Sequence, residues 1–316
     1  MFSTFPLILK PTPCHRLERA SEALGIDLWI KRDDLTGFAL GGNKGRKLEY
    51  LIQAALDEGA DTIVTCGARQ SNFVRQLAAA CAIAELRCVA AVMDQPYEPG
   101  HQVPQVQFTG RGNEVLSDLF GAKIVRFENG SWEDLFARAA DLAESERQSG
   151  HVVHHLAVGG SGALGAYAFF VAADEAPHHD VLITASSSGS THAGLHIAFR
   201  DFPNQVIGIA CDPEEDLRNE IARVGADLCA ILGQEPPSPD EYDLRSDYVG
   251  PGYGVPSEAG EEALQWLAHQ EGILLDPVYS AKAFSAVLDL ARRGELEDQT
   301  VLFWHTGGVP ALFAYR

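Results

Sequence analysis

The chain has few cysteines and no long hydrophobic run. Its longest apolar run covers residues 166–173, far short of the roughly 20 residues that a membrane-spanning helix needs. Pro6 and Lys10 interrupt the N-terminal segment before an apolar core of signal-peptide length develops. The six cysteines are scattered among 316 residues, without a CxxC pair or histidines at metal-ligand spacing. We therefore expect reduced thiols, no metal site, no membrane partner and a cytoplasmic location.

Basic residues are also scarce. Lys and Arg number 24 against 44 Asp and Glu, which gives a formal net charge of −20 at pH 7. So acidic a surface repels phosphate backbones and anionic lipids, and we expect no nucleic-acid partner. An anionic small molecule would have to be held by locally aimed backbone dipoles or by a few placed cations.

From residue 44 onwards, helical periodicity alternates with short β-branched runs. Helices are expected, for example, at Lys44–Asp57 and at about residues 214–230, and a buried strand at Thr62–Cys66. This alternation predicts an α/β fold with parallel sheets and ligands at the carboxyl ends of the strands. Residues 233–256 show neither the periodicity of a helix nor that of a strand, which indicates either a functional loop or a surface connection.

One loop matches a dinucleotide-binding pattern. Gly160, Gly162 and Gly165 form GxGxxG between a predicted strand and a predicted helix. A dinucleotide site also needs an acidic residue at the end of the next strand, whereas Asp180 stands at the beginning of that strand. A tight turn with close helix packing explains these glycines better, and a nicotinamide site remains a minor alternative.

A second loop is a better candidate for binding an anion. The segment SSSGSTHAGL (Ser186–Leu195) leads directly into a predicted helix. Free backbone N–H groups and the helix dipole could hold a phosphate there without any cationic side chain. Ser188, Ser190 and Thr191 would add hydroxyl donors, and an ordinary N-cap turn is the alternative.

Lys44 follows two glycines and begins a predicted helix. The helix dipole disfavours a cation at this end, which would lower the pKa of the amine and suit a Schiff-base lysine. The alternative is a solvated basic turn in which Lys44, Arg46 and Lys47 are all exposed. Composition does not decide between the two.

Six segments spread along the whole chain carry a more specific pattern: KRDDLTGFALGGNKGRKLEYL (Lys31–Leu51), GARQSNFVRQLAAA (Gly67–Ala80), SSSGSTHAGL (Ser186–Leu195), GPGYGVP (Gly250–Pro256), DPVYSAKA (Asp276–Ala283) and FWHTGG (Phe303–Gly308). Together they resemble the family of 1-aminocyclopropane-1-carboxylate deaminase and D-cysteine desulfhydrase, whose cofactor is pyridoxal 5'-phosphate. The resemblance implies the tryptophan synthase β-like fold (fold type II), with open twisted parallel sheets in α/β/α layers. It also implies a large cofactor domain (1–45 and 155–316), a small inserted α/β domain (46–154) and a homodimer.

The resemblance implies roles for individual residues. Lys44 would bind the cofactor covalently and move the α-proton of the substrate. Asn72 would hydrogen-bond the phenolic oxygen of the cofactor, and Ser71 would receive the substrate carboxylate. The other implied residues are the phosphate loop Ser188, Gly189, Ser190 and Thr191, the substrate-facing Tyr253 and Tyr279, and the cofactor-lining Ser280, Thr306 and Gly307.

Two positions depart from the family pattern. Ser280 stands where the deaminases have a glutamate that faces the pyridine nitrogen, and a serine leaves that nitrogen largely unprotonated. This favours expulsion of a good leaving group over opening of a cyclopropane ring. Phe73 stands where desulfhydrases usually have histidine, which leaves the identity of the substrate open.

We therefore expect a pyridoxal-phosphate-dependent lyase that acts on a small amino acid. D-cysteine, converted to pyruvate, sulfide and ammonia by β-elimination, is the first candidate. Elimination from L-cysteate and deamination of the cyclopropane acid are the alternatives. More remote alternatives are a nicotinamide oxidoreductase and an amino-acid-binding protein without turnover, the latter suggested by Phe73.

Overall fold

The computed structural model describes residues 2–101, 103–213 and 216–315, which form two β-sheets covered by helices. The strands are β1 (Cys14–Arg16), β2 (Asp27–Arg32), β3 (Thr62–Ala68), β4 (Arg87–Met93), β5 (Lys123–Phe127), β6 (Val153–His155), β7 (Val181–Ser186), β8 (Gln205–Ala210), β9 (Asp243–Arg245) and β10 (Thr300–His305). The α-helices are α1 (Glu18–Leu24), α2 (Lys44–Asp57), α3 (Asn72–Ile83), α4 (Asn113–Leu119), α5 (Trp132–Gln148), α6 (Ala163–Ala172), α7 (Ser190–Phe199), α8 (Leu217–Leu232), α9 (Glu258–Glu271), α10 (Ser280–Arg292) and α11 (Val309–Leu312).

The larger sheet has the strand order β1-β2-β10-β7-β8-β9. Its pairs are parallel except at the edge, where β1 runs antiparallel to β2. Along β10, Phe303 packs on Phe284 of α10, whereas Leu302 and Trp304 belong to a cluster with Phe169 of α6. Side chains of a strand alternate between faces, so this sheet is the middle layer of an α/β/α sandwich.

The smaller sheet has the order β5-β4-β3-β6, and all its pairs are parallel. On one face, Val64 and Val89 pack on Ala143 of α5. On the other face, Ala90 packs against Val74 of α3. This sheet is therefore also sandwiched between helices, and both sheets send the carboxyl ends of their strands toward the same cavity.

The observed elements correct the sequence-based expectation in two places. The edge strand β1 is antiparallel, so the larger sheet is not wholly parallel. Residues 233–256 are irregular only in part, because they contain β9 and one turn of 3-10 helix at Pro239–Glu241. The helix expected at about 214–230 is α8, and residues 214–215 lie outside the described chain. Among the described helices, none has the length and apolar character needed to cross a bilayer.

Candidate active site

A cavity of about 970 Å³ lies where the two sheets face each other. Its walls come from the segments that follow β3 in the smaller sheet and β7, β8 and β10 in the larger one. This is the position that parallel strands predict for a ligand. Most of the predicted site residues line it: Lys44, Ser71, Asn72, Ser188, Gly189, Thr191, Tyr253, Tyr279, Thr306 and Gly307. Ser190 and Ser280 do not line it.

Lys44 is the first residue of α2, and the loop before it is fixed by backbone contacts. The Gly42 N–H donates to the Asp33 carbonyl at 2.8 Å, and the Asn43 N–H donates to the Thr306 carbonyl at 2.9 Å. Gly41 has φ +76°, and a Cβ on it would lie 1.8 Å from the Asp34 carbonyl oxygen. Only glycine fits there, so the two glycines determine where Lys44 enters the cavity.

The amine of Lys44 is strongly perturbed by its surroundings. Lys44 keeps some exposure where it lines the cavity, and desolvation by the surrounding protein lowers its pKa to about 8. From the sequence, the helix dipole is expected to lower the pKa of Lys44. In the structure, burial is the main cause of the lowered pKa. A substantial fraction of Lys44 is therefore an uncharged nucleophilic amine near neutral pH.

The solvated basic turn that the sequence left open is not what the structure shows. Arg46 is 3% exposed and donates to Asp33 Oδ1 at 2.8 Å and to Glu175 Oε1 at 2.7 Å. Lys47 is 1% exposed and also lines the cavity. The paired carboxylates compensate Arg46, whereas Lys47 has no carboxylate partner among the described residues.

Lys47 is a site residue that the sequence reasoning missed. Its Nζ donates to Ser190 Oγ at 2.7 Å and to the Gly159 carbonyl at 3.3 Å. Burial and the charge of Lys44 hold the pKa of Lys47 well below its ordinary value. The serine loop therefore has a lysine amine beside it, which a bound phosphate would favour in its charged form, contrary to the expectation of an anion site made only of neutral groups. The signal was available, because residues three apart share one face of a helix.

The loop at the start of α7 has the geometry of an anion site. Gly189 adopts φ +82°, and a Cβ there would lie 2.9 Å from Ile221 Cγ1. The Thr191 hydroxyl accepts a hydrogen bond from Asn43 Nδ2 at 3.0 Å, which ties this loop to the residue before Lys44. The start of α7, its hydroxyl groups and the Lys47 amine thus lie together at the cavity.

Ser71 and Asn72 stand at the start of α3. Ser71 is the N-cap, and its Oγ accepts from the Val74 N–H at 3.2 Å. Asn72 Oδ1 accepts from Asn113 Nδ2 at 2.8 Å, which fixes the orientation of the Asn72 amide. Phe73 follows, and its ring packs close to Gly160, where an added Cβ would meet it at 2.8 Å. The aromatic ring therefore forms part of the cavity wall.

Tyr253 and Tyr279 meet in the cavity wall, where Tyr253 packs with Ala68 at the end of β3. Their hydroxyl oxygens lie 2.5 Å apart. Tyr253 comes from the irregular part of residues 233–256, which assigns that part to the cavity wall. Its ring contacts the indole of Trp132, with centroids 5.0 Å apart.

Ser280 lies buried beneath this wall. Its hydroxyl donates to Asp276 Oδ1 at 2.9 Å and accepts from the Asp276 N–H at 2.8 Å. Thr306 and Gly307 do line the cavity, and Gly307 has φ +88°. A Cβ on Gly307 would lie 2.5 Å from Gly42 Cα, so the end of β10 packs directly on the lysine loop.

Packing explains Gly160 and Gly165 of the GxGxxG loop, whereas Gly162 has open space around it and a positive φ of +134°. A Cβ on Gly165 would lie 2.2 Å from the Gly160 carbonyl oxygen. At the far end of the sheet, the Asp180 carboxylate accepts from the Thr300 N–H. The structure therefore supports the packing interpretation of this loop over a nicotinamide site.

Comparison with known proteins agrees with this geometry. Residues 6–307 match the family described as pyridoxal-phosphate dependent enzyme. The chain belongs to the pyridoxal-phosphate-dependent enzyme family. Curated relatives of this enzyme include the D-cysteine desulfhydrases of Salmonella typhi (40% identical, covering 100% of this chain and 97% of the relative) and Yersinia enterocolitica (39% identical, 100% and 96%).

A solved structure described as an ACC deaminase homologue matches this enzyme with a TM-score of 0.89. The two chains are 30% identical, and the match covers 99% of this chain and 94% of the other. The expected α/β fold of type II and the resemblance stated from the sequence are thereby confirmed.

The residues present fit pyridoxal phosphate. The cavity contains the perturbed Lys44 amine and a helix start beside the buried Lys47 amine. Gly189 leaves no room for a side chain because a Cβ there would meet Ile221, so glycine lets the loop pack on α8 while its backbone N–H groups face an anion. The acidic net charge is therefore no obstacle to an anionic cofactor.

Proposed function

We propose that this enzyme removes the β-substituent of a small amino acid, and that D-cysteine is converted to pyruvate, sulfide and ammonia. The observation that carries the proposal is the Lys44 amine, with its pKa lowered to about 8, in a cavity that also holds the hydrogen-bonded Tyr253 and Tyr279. The names of the Salmonella and Yersinia relatives support D-cysteine as the substrate.

Several residues would hold the cofactor. Lys44 would bond to it, and Lys47 with residues 188–191 would receive its phosphate. Asn72 would face its phenolic oxygen, while Thr306 and Gly307 would line its ring, with Ser280 behind them. When bound, pyridoxal phosphate withdraws electrons from the α-carbon of an amino acid and makes the α-proton acidic.

Lys44 would act as the base. With the substrate bound, the Lys44 amine would take its α-proton. An amine with a pKa of about 8 is well placed for proton transfer near neutral pH. Its position at the helix start, fixed by Gly41 and Gly42, limits its reach to one side of the bound substrate.

Ser71 would bind the substrate carboxylate. Its Oγ already accepts from the Val74 N–H, so its own proton remains available to donate. The first N–H groups of α3 point the same way, and the positive end of the helix dipole favours an anion there. Because Ser71 and Lys44 line the same cavity, a substrate whose carboxylate is bound at Ser71 would have its α-carbon within the space that Lys44 also faces.

The tyrosine pair would supply a proton to the leaving group. Burial raises the pKa values of both Tyr253 and Tyr279, so both stay protonated at neutral pH. One hydroxyl proton lies between the two oxygens, and the other is free for the departing sulfur.

Deamination of the cyclopropane acid is kept as a second candidate because a solved neighbour is described as an ACC deaminase homologue. The environment of Ser280 disfavours it here. A glutamate at this position would be buried beside the Asp276 carboxylate, at a considerable electrostatic cost.

We also propose a cofactor domain of residues 1–45 and 155–316 with an inserted domain of residues 46–154. The division of strands between the two sheets supports this assignment. The homodimer and the cytoplasmic location are proposed as well. The family resemblance supports the homodimer, and the six free cysteines fit a reducing compartment. Light scattering of the purified holoenzyme tests the dimer.

A substrate panel tests the reaction. The holoenzyme is incubated with both enantiomers of cysteine and cysteate, with β-chloro-D-alanine and with the cyclopropane acid, and the oxoacid formed is identified. We expect pyruvate from D-cysteine and β-chloro-D-alanine. Release of 2-oxobutanoate from the cyclopropane acid alone would contradict the proposal and establish the second candidate.

A further inference from the structure

Asp212 is a buried carboxylate whose hydrogen bonding is incomplete. It follows β8, lines the active-site cavity and is 6% exposed. Its Oδ2 accepts from the indole N–H of Trp132 at 3.1 Å. Its Oδ1 has no hydrogen-bond partner in the described part of the chain. A buried carboxylate oxygen normally has a donor, so this one lacks a group that a ligand could supply.

The surroundings of Asp212 make a further negative charge unfavourable. Burial, and then the charge of Glu98, raises the pKa of Asp212 to about 6, while Lys282 and His101 act in the opposite direction. Lys282 Nζ already donates a hydrogen bond to the Gly252 carbonyl at 2.8 Å. At pH 8 the carboxyl is therefore ionised, and among the described residues it has no salt-bridge partner that could be shared with an anionic ligand.

Asp212 is connected to the wall where the leaving group is placed. Trp132, which donates to it, stacks edge-on against Tyr253, and Tyr253 is hydrogen-bonded to Tyr279. The charge of Asp212 also contributes to the raised pKa of Tyr253. Carboxylate, indole and tyrosine pair thus form one continuous side of the cavity.

We propose that Asp212 is a specificity-determining residue that accepts a hydrogen bond from the end of the substrate side chain and excludes side chains that end in an anion. The placement of the side chain at this wall rests on the proposed function. A thiol, hydroxyl or amide group would be accepted, whereas the sulfonate of cysteate would be repelled. A site selects among ligands by such repulsion as well as by attraction.

Aspartate and asparagine test this without turnover. They have nearly the same shape, but the side chain of aspartate ends in a carboxylate and that of asparagine ends in a neutral amide that can donate a hydrogen bond. Neither carries a good leaving group at the β-carbon. Binding of each enantiomer to the holoenzyme is measured at pH 8 by the shift of the visible cofactor band and by calorimetry. We expect asparagine to bind at least about tenfold more tightly than aspartate, since like charges at short range in a partly buried site repel strongly.

The variant Asp212→Asn should reduce that preference to within about twofold. It keeps an oxygen for the Trp132 N–H, removes the charge and puts an NH2 donor in place of the Oδ1 acceptor, so both the repulsion of aspartate and the acceptance of the asparagine amide are lost. The matched control Glu133→Gln removes a charge from an exposed residue that lines the same cavity, and it should leave the preference unchanged. Thermal midpoints of the three proteins establish that each is folded.

The proposal is overturned if the wild-type enzyme binds the two amino acids equally, if it binds neither, or if Asp212→Asn retains the preference. These outcomes are independent of elimination. An enzyme that discriminates between the two amino acids but releases no pyruvate from D-cysteine would disprove the proposed function and leave the role of Asp212 intact.

Discussion

The hydroxyl oxygens of Tyr253 and Tyr279 lie 2.5 Å apart, although the two residues come from separate segments of the chain. Tyr253 is carried by an irregular loop, whereas Tyr279 immediately precedes α10. Burial keeps both hydroxyls protonated by raising their pKa values. We therefore propose that the pair acts as a single proton donor built from two side chains.

A double-mutant cycle tests this pairing. Tyr253→Phe and Tyr279→Phe should each lower kcat for D-cysteine by about 10- to 100-fold, and the double variant should be little worse, because two groups that act together give non-additive effects. Tyr242→Phe is the control, since Tyr242 is buried with no hydrogen-bond partner for its hydroxyl in the described residues. Strictly additive losses would show that the two tyrosines act separately.

Lys47 should determine how tightly the cofactor is held. Replacing it by methionine removes the buried amine beside Ser190, and we expect the Kd for pyridoxal phosphate to rise by about 10- to 100-fold, the usual effect of one charge-assisted hydrogen bond. Equilibrium dialysis measures the affinity. Lys123→Met, at an exposed lysine, should have no effect, and an unchanged Kd in Lys47→Met would refute the role.

Gly189 should be required for cofactor binding for steric reasons. Gly189→Ala places a methyl group about 2.9 Å from Ile221 in a backbone with φ +82°. Gly233→Ala is a matched control, because Gly233 has φ +67° and open space around it. Both variants should lose about 1 kcal/mol of unfolding free energy from the positive φ. Only Gly189→Ala should also bind the cofactor weakly in a spectroscopic titration, and equal affinity in the two variants would count against the phosphate site.

The Glu175 cluster predicts a specific dependence of stability on pH. Burial alone would raise the pKa of Glu175, but hydrogen bonds from Arg46 and Lys31 outweigh it and lower the pKa to about 2. A carboxyl whose pKa is depressed on folding stabilises the protein above its unfolded pKa of about 4.3, and this contribution is lost as the pH falls toward 2. We expect it to reach roughly 3 kcal/mol at neutral pH.

Urea unfolding of Glu175→Gln checks this contribution. The variant should be less stable at pH 7, and the difference from the wild-type protein should shrink as the pH is lowered from 4.5 to 2. Glu262→Gln, in an exposed pair with Arg292, is the control and should change little. If the difference in unfolding free energy between the wild-type protein and Glu175→Gln does not vary with pH, the lowered pKa assigned to Glu175 is contradicted.

Local sequence patterns were sufficient to predict much of the fold and the cavity. The helix that begins at Lys44 and the turn at Ser71 both depend on residues within one or two helical turns, and the alternating elements follow from short-range periodicity. The short strands β1 and β9 carry too few residues for such periodicity, so they were not predicted. The antiparallel direction of β1 likewise depends on its pairing with β2, which short-range periodicity does not reveal.

Contacts between distant residues account for what the sequence did not reveal. The burial of Arg46 depends on Glu175, 129 positions away, and the environment of Asp212 depends on Trp132, 80 positions away. Ser280 could be recognised as a departure from the family. Its hydrogen bond to Asp276, however, depends on how the chain folds at the start of α10 and could not be read from the sequence. Lys47 could have been found from its spacing to Lys44.

The most direct measurement of the central claim is the simultaneous assay of sulfide and pyruvate from D-cysteine. With the wild-type holoenzyme we expect both products in equal amounts, and with Lys44→Ala a loss of at least about a thousandfold, since the base and the cofactor attachment are removed together. A wild-type enzyme that releases neither product, or a Lys44→Ala variant that retains full activity, would contradict the account.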